Sequence, residues 1–346
     1  MSMILKIAIV LLVFTVIVIA HEFGHFIMAK RSGVFVQEFA VGMGPKLLSK
    51  QWGETLYSLR AFPIGGFCMM QEEVGDSGNA RSLSSKTIGQ RMGILFAGPF
   101  MNFLLAFLLM FIITASQGEP SNIVGGLSPD FPAQKAGMQV KDKIVKINGI
   151  KTNNMKDITK ILKTVDKDET VVFTIDRDGK LLEMNINRQL SLEDKEYLVG
   201  FIALKVRGNI IYAIPSAFSQ TINLVKMTIG GFFDLITMQL SVEQLSGPVG
   251  VITAGVQVWD EGVKESIWIA IQRMFFLGAL ISANLGVFNL FPFPALDGGR
   301  ILFLGIEAVR GKPVNPKVEG FFHFMGFALL MLLMVFVLYN DISNLR

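Results

Sequence analysis

Four runs of about twenty apolar residues constrain this chain more than any other feature. They fall at about 4–28, 92–115, 268–290 and 320–339, the third with a Pro-broken extension to about 309. Each is close to the ~20 residues that a helix needs to cross a bilayer core. Of the 346 residues, 51% are hydrophobic and only 17% charged, against roughly 25% charged in an average protein. The chain reads as a polytopic α-helical membrane protein with four transmembrane helices. Its net charge of +4 is explained by basic loops on one side of a membrane, so no nucleic-acid partner is called for. The single cysteine, Cys68, excludes an intrachain disulfide and a cysteine-based zinc site. The first run could pass for a signal peptide. No small-residue cleavage site follows it, however, and it is read as a retained span.

The short loops set the orientation. Residues 29–91 carry eight Lys or Arg side chains, among them Lys30, Arg60 and Arg91, and the loop after the third run adds Arg310, Lys312 and Lys317. Both loops therefore read as cytoplasmic, which places the termini and the 116–208 insert outside. The insert has a different texture. Ile158, Ile161, Leu162 and Val165 recur at helical spacing, residues 171–187 alternate around Asp178-Gly179 as a hairpin does, and Lys143 to Asn148 is a further strand. It is expected to be a small soluble α+β domain. Residues 209–267 are apolar but interrupted by Pro215, Lys226, Gly230, Gly231, Asp234 and Glu243, and are read as amphipathic membrane-surface helices and a linker. A span there would invert the third run. The chain thus divides into an N-terminal membrane half (1–115), the inserted domain (116–208), the surface helices (209–267) and a C-terminal membrane half (268–346).

His21-Glu22-Phe23-Gly24-His25 closes the first span. HExxH on a helix puts two imidazoles one turn apart on one face with a carboxylate beside the first, the ligand pair and general base of a zinc hydrolase. Polar groups at this depth are costly unless they face a cavity and act there. Two histidines hold a catalytic zinc only with a third protein ligand. Asp297 is the better candidate, because Pro292 and Pro294 break the helix before it, and free backbone at membrane depth must line a cavity. His323 in the fourth span is the other candidate. Asn102 is read as interhelical glue, and Asn289, eight residues before Asp297, as a substrate contact.

These motifs, with Phe39-Ala-Val-Gly-Met-Gly-Pro45, Phe62-Pro-Ile-Gly-Gly66, Ala97-Gly-Pro-Phe-Met-Asn102, Leu245-Ser-Gly-Pro-Val-Gly250 and Asn284-Leu-Gly-Val-Phe-Asn289, resemble those of the site-2 protease family of intramembrane metalloproteases. The likeness is to the bacterial branch that includes the regulator of sigma-E protease, and covers nearly the whole chain. It implies Zn2+ held by His21, His25 and Asp297, Glu22 as catalytic base, and Asn289 and Pro294 near the substrate. It also implies a membrane-associated β-hairpin at about 52–71, whose Gly65 and Gly66 suit an edge approached by another backbone. The insert would be a single extracytoplasmic PDZ domain. It would either receive a C-terminal carboxylate at Gly125-Gly126-Leu127 or act as a steric filter, the filter being preferred. The expected activity is that of a zinc metalloendopeptidase in a bacterial cell membrane, with its active site toward the cytoplasm. It would cut transmembrane segments of single-pass proteins, anti-sigma-factor-like proteins or remnant signal peptides. A metal transporter and a catalytically inactive PDZ scaffold are the rival classes. The bare outer half of the first span speaks against the transporter, and intact Glu22, His25 and Asp297 speak against the scaffold.

Overall fold

The computed structural model describes residues 1–71, 80–166, 169–190, 197–206, 210–237 and 247–344. Leu245 and Ser246 of the Leu245–Gly250 motif, Glu243, and the expected boundary at 208/209 lie outside them. The elements are α1 (Met3–Arg31), β1 (Val36–Trp52), β2 (Thr55–Met70), α2 (Ile88–Gln117), β3 (Glu119–Leu127), α3 (Pro132–Lys135), β4 (Lys143–Ile147), β5 (Ile150–Lys151), α4 (Met155–Thr164) and β6 (Val171–Arg177). They continue with β7 (Lys180–Ile186), β8 (Gln189–Leu190), β9 (Tyr197–Leu198), β10 (Phe201–Val206), α5 (Ile210–Ile236), α6 (Pro248–Glu265), α7 (Ile267–Leu290), α8 (Asp297–Arg310) and α9 (Pro316–Asn344). Two compact units result, one from Met1–Ile113 with Ser216–Arg346, the other from Thr114–Pro215.

In the first unit, α1, α2, α7 and α9 are each long and apolar enough to cross a membrane. With the β-sheets described below, this makes a polytopic membrane protein carrying a β-containing domain. The helices meet through small residues. The buried positions of α7 are Ala270, Met274, Gly278, Ala279, Ser282, Ala283, Gly286 and Val287, a stripe that repeats every turn and lets backbones approach. A Cβ on Gly286 would come within 2.8 Å of the Phe103 ring of α2, and one on Gly278 within 3.2 Å of Val13 of α1. α6 runs antiparallel beside the first half of α7, with Gly262 on Ala270 and Gly255 near Leu277, and touches α1 and α9 near one end of each. Lys6 of α1 pairs with Asp260 at 2.6 Å, and the Asp341 carboxylate of α9 accepts from Gly247 N–H and Gly250 N–H at 3.0 and 2.9 Å, capping the helix.

α5 differs from a helix lying flat across the spans. Ala217 and Leu224 join Ala279 and Ala283 in one cluster, Thr228 Oγ1 donates to Asn284 Oδ1, and Phe232 stacks on Phe291 at 4.1 Å. These contacts advance along both helices together, so α5 runs beside α7. The alanines of α7 and the Asn284 amide give it a side to pack on, and sequence periodicity does not show that.

The hairpin is longer than the expected 52–71: that stretch is little more than β2, and β1 begins at Val36. Its pairing is also folded over. Residues 38–41 pair with 66–69 in opposite directions and with 56–59 in the same direction, while 48–52 pair with 55–59 across the turn. Four short runs therefore lie side by side, bent where Gly42 and Gly44 take φ of +83° and +85°. Glu38 is buried between them, accepting from Ser58 Oγ at 2.5 Å and Arg60 at 2.8 Å. At the turn, Glu54 accepts from Lys30 and Arg81, each at 2.5 Å.

The second unit is an antiparallel sheet in the order β10-β3-β4-β6-β7, with β5 beside β4. Its core gathers Val124, Ile144, Ile147, Ile158, Phe173, Ile175 and Ile186. β6 and β7 turn at Asp178 and Gly179, with φ of +53° and +82°, the two positive values a tight hairpin turn requires. α4 covers residues 155–164 as its spacing predicts. In β3, Gly126 pairs with Ile202 and Leu127 with Phe201 of β10.

Candidate metal centre

α1 carries His21 and His25 on the face that meets α2. The helices touch closely because Gly24 leaves room for the Ala97 backbone, where a Cβ would lie 2.8 Å from Met101 Cγ. Gly98 does the same for the imidazoles: a Cβ there would come within 2.9 Å of His21 Cε1 and 2.6 Å of His25 Cε1. Pro99 follows inside α2 and cannot donate to the carbonyl of Leu95, which opens the ladder beside the site.

Asp297 arrives from the other half of the chain. α7 ends at Leu290, and six residues including Pro292 and Pro294 bring the chain to Asp297, the first residue of α8. The two glycines after it have a packing reason. A Cβ on Gly298 or Gly299 would collide with the carbonyls of Leu290, Phe291 and Phe293, so the helix can start tight under the broken segment. A carboxylate in a first helical turn also meets the positive end of the helix dipole.

The three side chains converge. His21 Nε2 and His25 Nε2 are 3.2 Å apart, and Asp297 Oδ2 lies 3.2 Å from the first and 3.4 Å from the second. Donors held about 2.0–2.1 Å from one tetrahedral zinc stand roughly 3.3 Å from each other, so the triangle has the right edge. Among the described residues the buried Asp297 Oδ2 has no hydrogen-bond partner, as suits a group that takes a cation. The residues fit a zinc ion.

Outer contacts orient both imidazoles. His25 Nδ1–H donates to Ile94 O at 2.8 Å, leaving Nε2 a lone pair directed at the other donors. His21 Nδ1 faces Asn102 Nδ2 at 3.1 Å, while the buried Asn102 Oδ1 has no partner. A half-turn of that amide lets Oδ1 accept from Nδ1–H and gives His21 the same metal-binding tautomer. Asn102, expected as interhelical glue, bridges α2 to α1 through this side-chain contact with His21, and its backbone carbonyl accepts from Ser282 Oγ of α7 at 2.8 Å. It lies four residues after Gly98 and so on the same helix face, the one signal that could have marked it.

Glu22 opens onto the same cavity of about 310 Å3, with Phe67, Cys68, Met70, Leu95, Asn289, Leu296 and Arg300 around the three donors. Its Oε2 accepts from Cys68 N–H of β2 at 3.0 Å. Asn289 is thus brought to the site, and Arg300, not singled out from sequence, joins it by following Asp297 three residues later on α8. Pro294, Gly65 and Gly66 do not line this cavity. Gly66 still approaches Glu22, where a Cβ would be 3.8 Å from Glu22 Cγ and 2.9 Å from Ala40 O. His323 is not among the three gathered donors; its Nδ1 accepts from Ala295 N–H at 2.9 Å.

Residues 9–333 match the family model described as peptidase family M50. A protein of Clostridium acetobutylicum is 36% identical over 338 residues, with 97% of each chain covered. The zinc metalloprotease RasP of Geobacillus kaustophilus is 32% identical over 420 aligned residues, covering 96% of this chain and 97% of that one. The regulator of sigma-W protease RasP of Bacillus subtilis is 30% identical over 420, covering 97% of each. A peptidase family over nearly the full length places the peptidase reading above the transporter and the scaffold. The chain belongs to peptidase family M50.

Proposed function

We propose that this zinc metalloprotease cuts peptide bonds inside membrane-spanning segments of single-pass proteins, with His21, His25 and Asp297 holding the metal and Glu22 as general base. The near-equilateral donor triangle, with edges of 3.2, 3.2 and 3.4 Å, carries the reading. Bound there, zinc would supply a Lewis acid and an activated water. Glu22 accepts the proton of the attacking water on its carboxylate and passes it to the leaving amide nitrogen. The Cys68 N–H holds that carboxylate at the cavity wall. Phe67, Met70, Leu95 and Leu296 exclude bulk water and contact apolar substrate side chains, and Asn289 offers an amide to the unwound substrate backbone.

A spanning helix hides its carbonyls in its own ladder, so the substrate must open locally before cleavage. Residues 66–70 of β2 run beside Glu22 and pair with β1 on one side. An extended substrate strand added along this run, at Gly65-Gly66 and beyond, would satisfy the freed backbone groups. The hairpin is then membrane-associated, and the active site lies toward the cytoplasm with the termini and second unit outside. Sigma-pathway regulation in the name of the Bacillus subtilis relative supports anti-sigma-factor-like substrates; remnant signal peptides are the other class. We read the second unit as a PDZ domain acting as a filter. The register of Gly126 with Ile202 of β10 leaves only alternate N–H groups of residues 125–127 for a carboxylate nest.

Glu22→Gln tests the assignment. It should retain zinc and lose cleavage of a single-span reporter by about 10²–10⁴-fold. Retained cleavage would overturn it.

A further inference from the structure

The segment that delivers Asp297 makes its last turn at residues 293–296, where Leu296 N–H donates to Phe293 O at 3.2 Å. Pro294 and Ala295 are the central residues, and Ala295 has φ of +78°. That is a type II turn, which favours proline at the first central position and glycine at the second. Alanine is the wrong residue for it, because its Cβ opposes positive φ. A type I turn, with the Pro294–Ala295 peptide plane turned over, would let alanine keep negative φ. The plane must therefore be held from outside.

Two residues of α9 hold it. His323 Nδ1 accepts from Ala295 N–H at 2.9 Å. Gly326, three residues on and so on the same helix face, makes room for Pro294: a Cβ there would lie 2.6 Å from Pro294 Cβ and would collide with the Pro294 carbonyl oxygen. The carbonyl and N–H of a trans peptide point in opposite directions. The plane therefore lies along α9 with its oxygen at Gly326 and its N–H at His323. Turned over, the carbonyl oxygen would face the His323 lone pair and the N–H would face a glycine without a side-chain acceptor.

We propose that His323 is a positioning residue: by accepting Ala295 N–H it holds the type II turn that sets the Asp297 carboxylate beside His21 and His25. This rests on Asp297 as a metal ligand. His323 acts through the backbone of the ligand loop and stays outside the ligand set. The Phe303 ring of α8, 5.6 Å from the imidazole, packs its flank.

The test is zinc affinity by chelator competition on the purified full-length chain in detergent, with the cobalt-substituted protein read by visible absorption. Asp297→Ala comes first; if it binds zinc like wild type, the ligand reading itself fails, independently of His323. His323→Phe keeps a ring and removes the acceptor. It should weaken zinc binding by about 10–100-fold and shift the cobalt bands. His323→Asn, whose Oδ1 falls near the place of Nδ1, should stay within a few-fold of wild type. Ala295→Gly should be silent alone, yet in the His323→Phe background it should recover most of the affinity, because glycine holds positive φ unaided. Wild-type affinity in His323→Phe, or no recovery in the double variant, would overturn the proposal. If His323→Phe cannot be purified folded, the double variant decides: wild-type-like zinc binding supports the proposal, and its failure overturns it.

Discussion

The core of the 114–215 unit and the helix contacts along α7 are built from opposite choices of side chain. In the 114–215 unit the largest buried residues are Phe173 and a set of isoleucines from β4, β6, β7 and α4, and its surface is rich in lysine. In the other unit α7 buries mostly Ala, Gly and Ser, while large apolar residues point outward, as Leu332 on α9 does at 69% exposure. Water drives the first arrangement, because apolar area removed from it is the main favourable term. Lipid removes that term between helices, leaving close packing and polar contacts to choose the neighbours. His21, His25, Asp297, Asn102 and Ser282 all sit among these close helix contacts, where small residues bring backbones near enough for a candidate site drawn from several helices.

Adding atoms should therefore break the close helix contacts around the candidate metal centre, and removing them should break the core of the 114–215 unit. Gly98→Val has the largest expected effect, since its side chain enters the space of both imidazoles. Zinc content should fall to background while the 114–215 unit keeps its amide protection in hydrogen exchange; a zinc-loaded Gly98→Val protein would refute this packing argument. Phe173→Ala removes a fully buried ring and should destabilise the 114–215 unit by about 3–5 kcal/mol. It should be read as lost protection in β6 and β7 with zinc stoichiometry unchanged. If the same variant released the metal, the two units would share one cooperative core, and the contrast would be wrong.

What is legible in the sequence follows the same division. HExxH needs only one helix, so spacing alone places His21, Glu22 and His25. Asp297 is reachable because Pro292 and Pro294 must break an apolar helix, and backbone freed at membrane depth needs a cavity to line. The Asp178-Gly179 turn and α4 are local patterns and are where the residues put them. The contacts that spacing misses are those between distant segments. The pairing of 38–41 with 56–59, which doubles the hairpin over, has no periodic signal, and neither does the lengthwise contact of α5 with α7. A histidine in a chain with a metal motif suggests a ligand, which makes His323 a candidate from sequence. Its contact is instead with a backbone N–H, whose need is visible only once Ala295 is seen at positive φ.

The smallest expected effect concerns the hairpin turn, where the metal-bearing unit is held as a water-facing protein is. Arg81 and then Lys30 hold the exposed Glu54 carboxyl at about 2, below its ordinary value of 4.5. A depressed folded-state value means that the contribution is present above the ordinary carboxyl range and is lost as pH falls through about 2. Exposed pairs of this kind contribute little and are screened by salt. Hydrogen exchange at residues 52–55 should thus show constant protection, corrected for intrinsic rate, from pH 8 down to about pH 5, with a modest loss at high salt. Glu54→Gln should raise exchange at the turn by a few-fold and leave zinc binding alone. The turn touches α1 directly at Lys30, five residues past His25, and reaches Glu22 also along β2. A zinc affinity that fell with Glu54→Gln would show that the turn transmits strain along α1 to His25 or along β2 to Glu22, and would join the hairpin to the candidate metal centre.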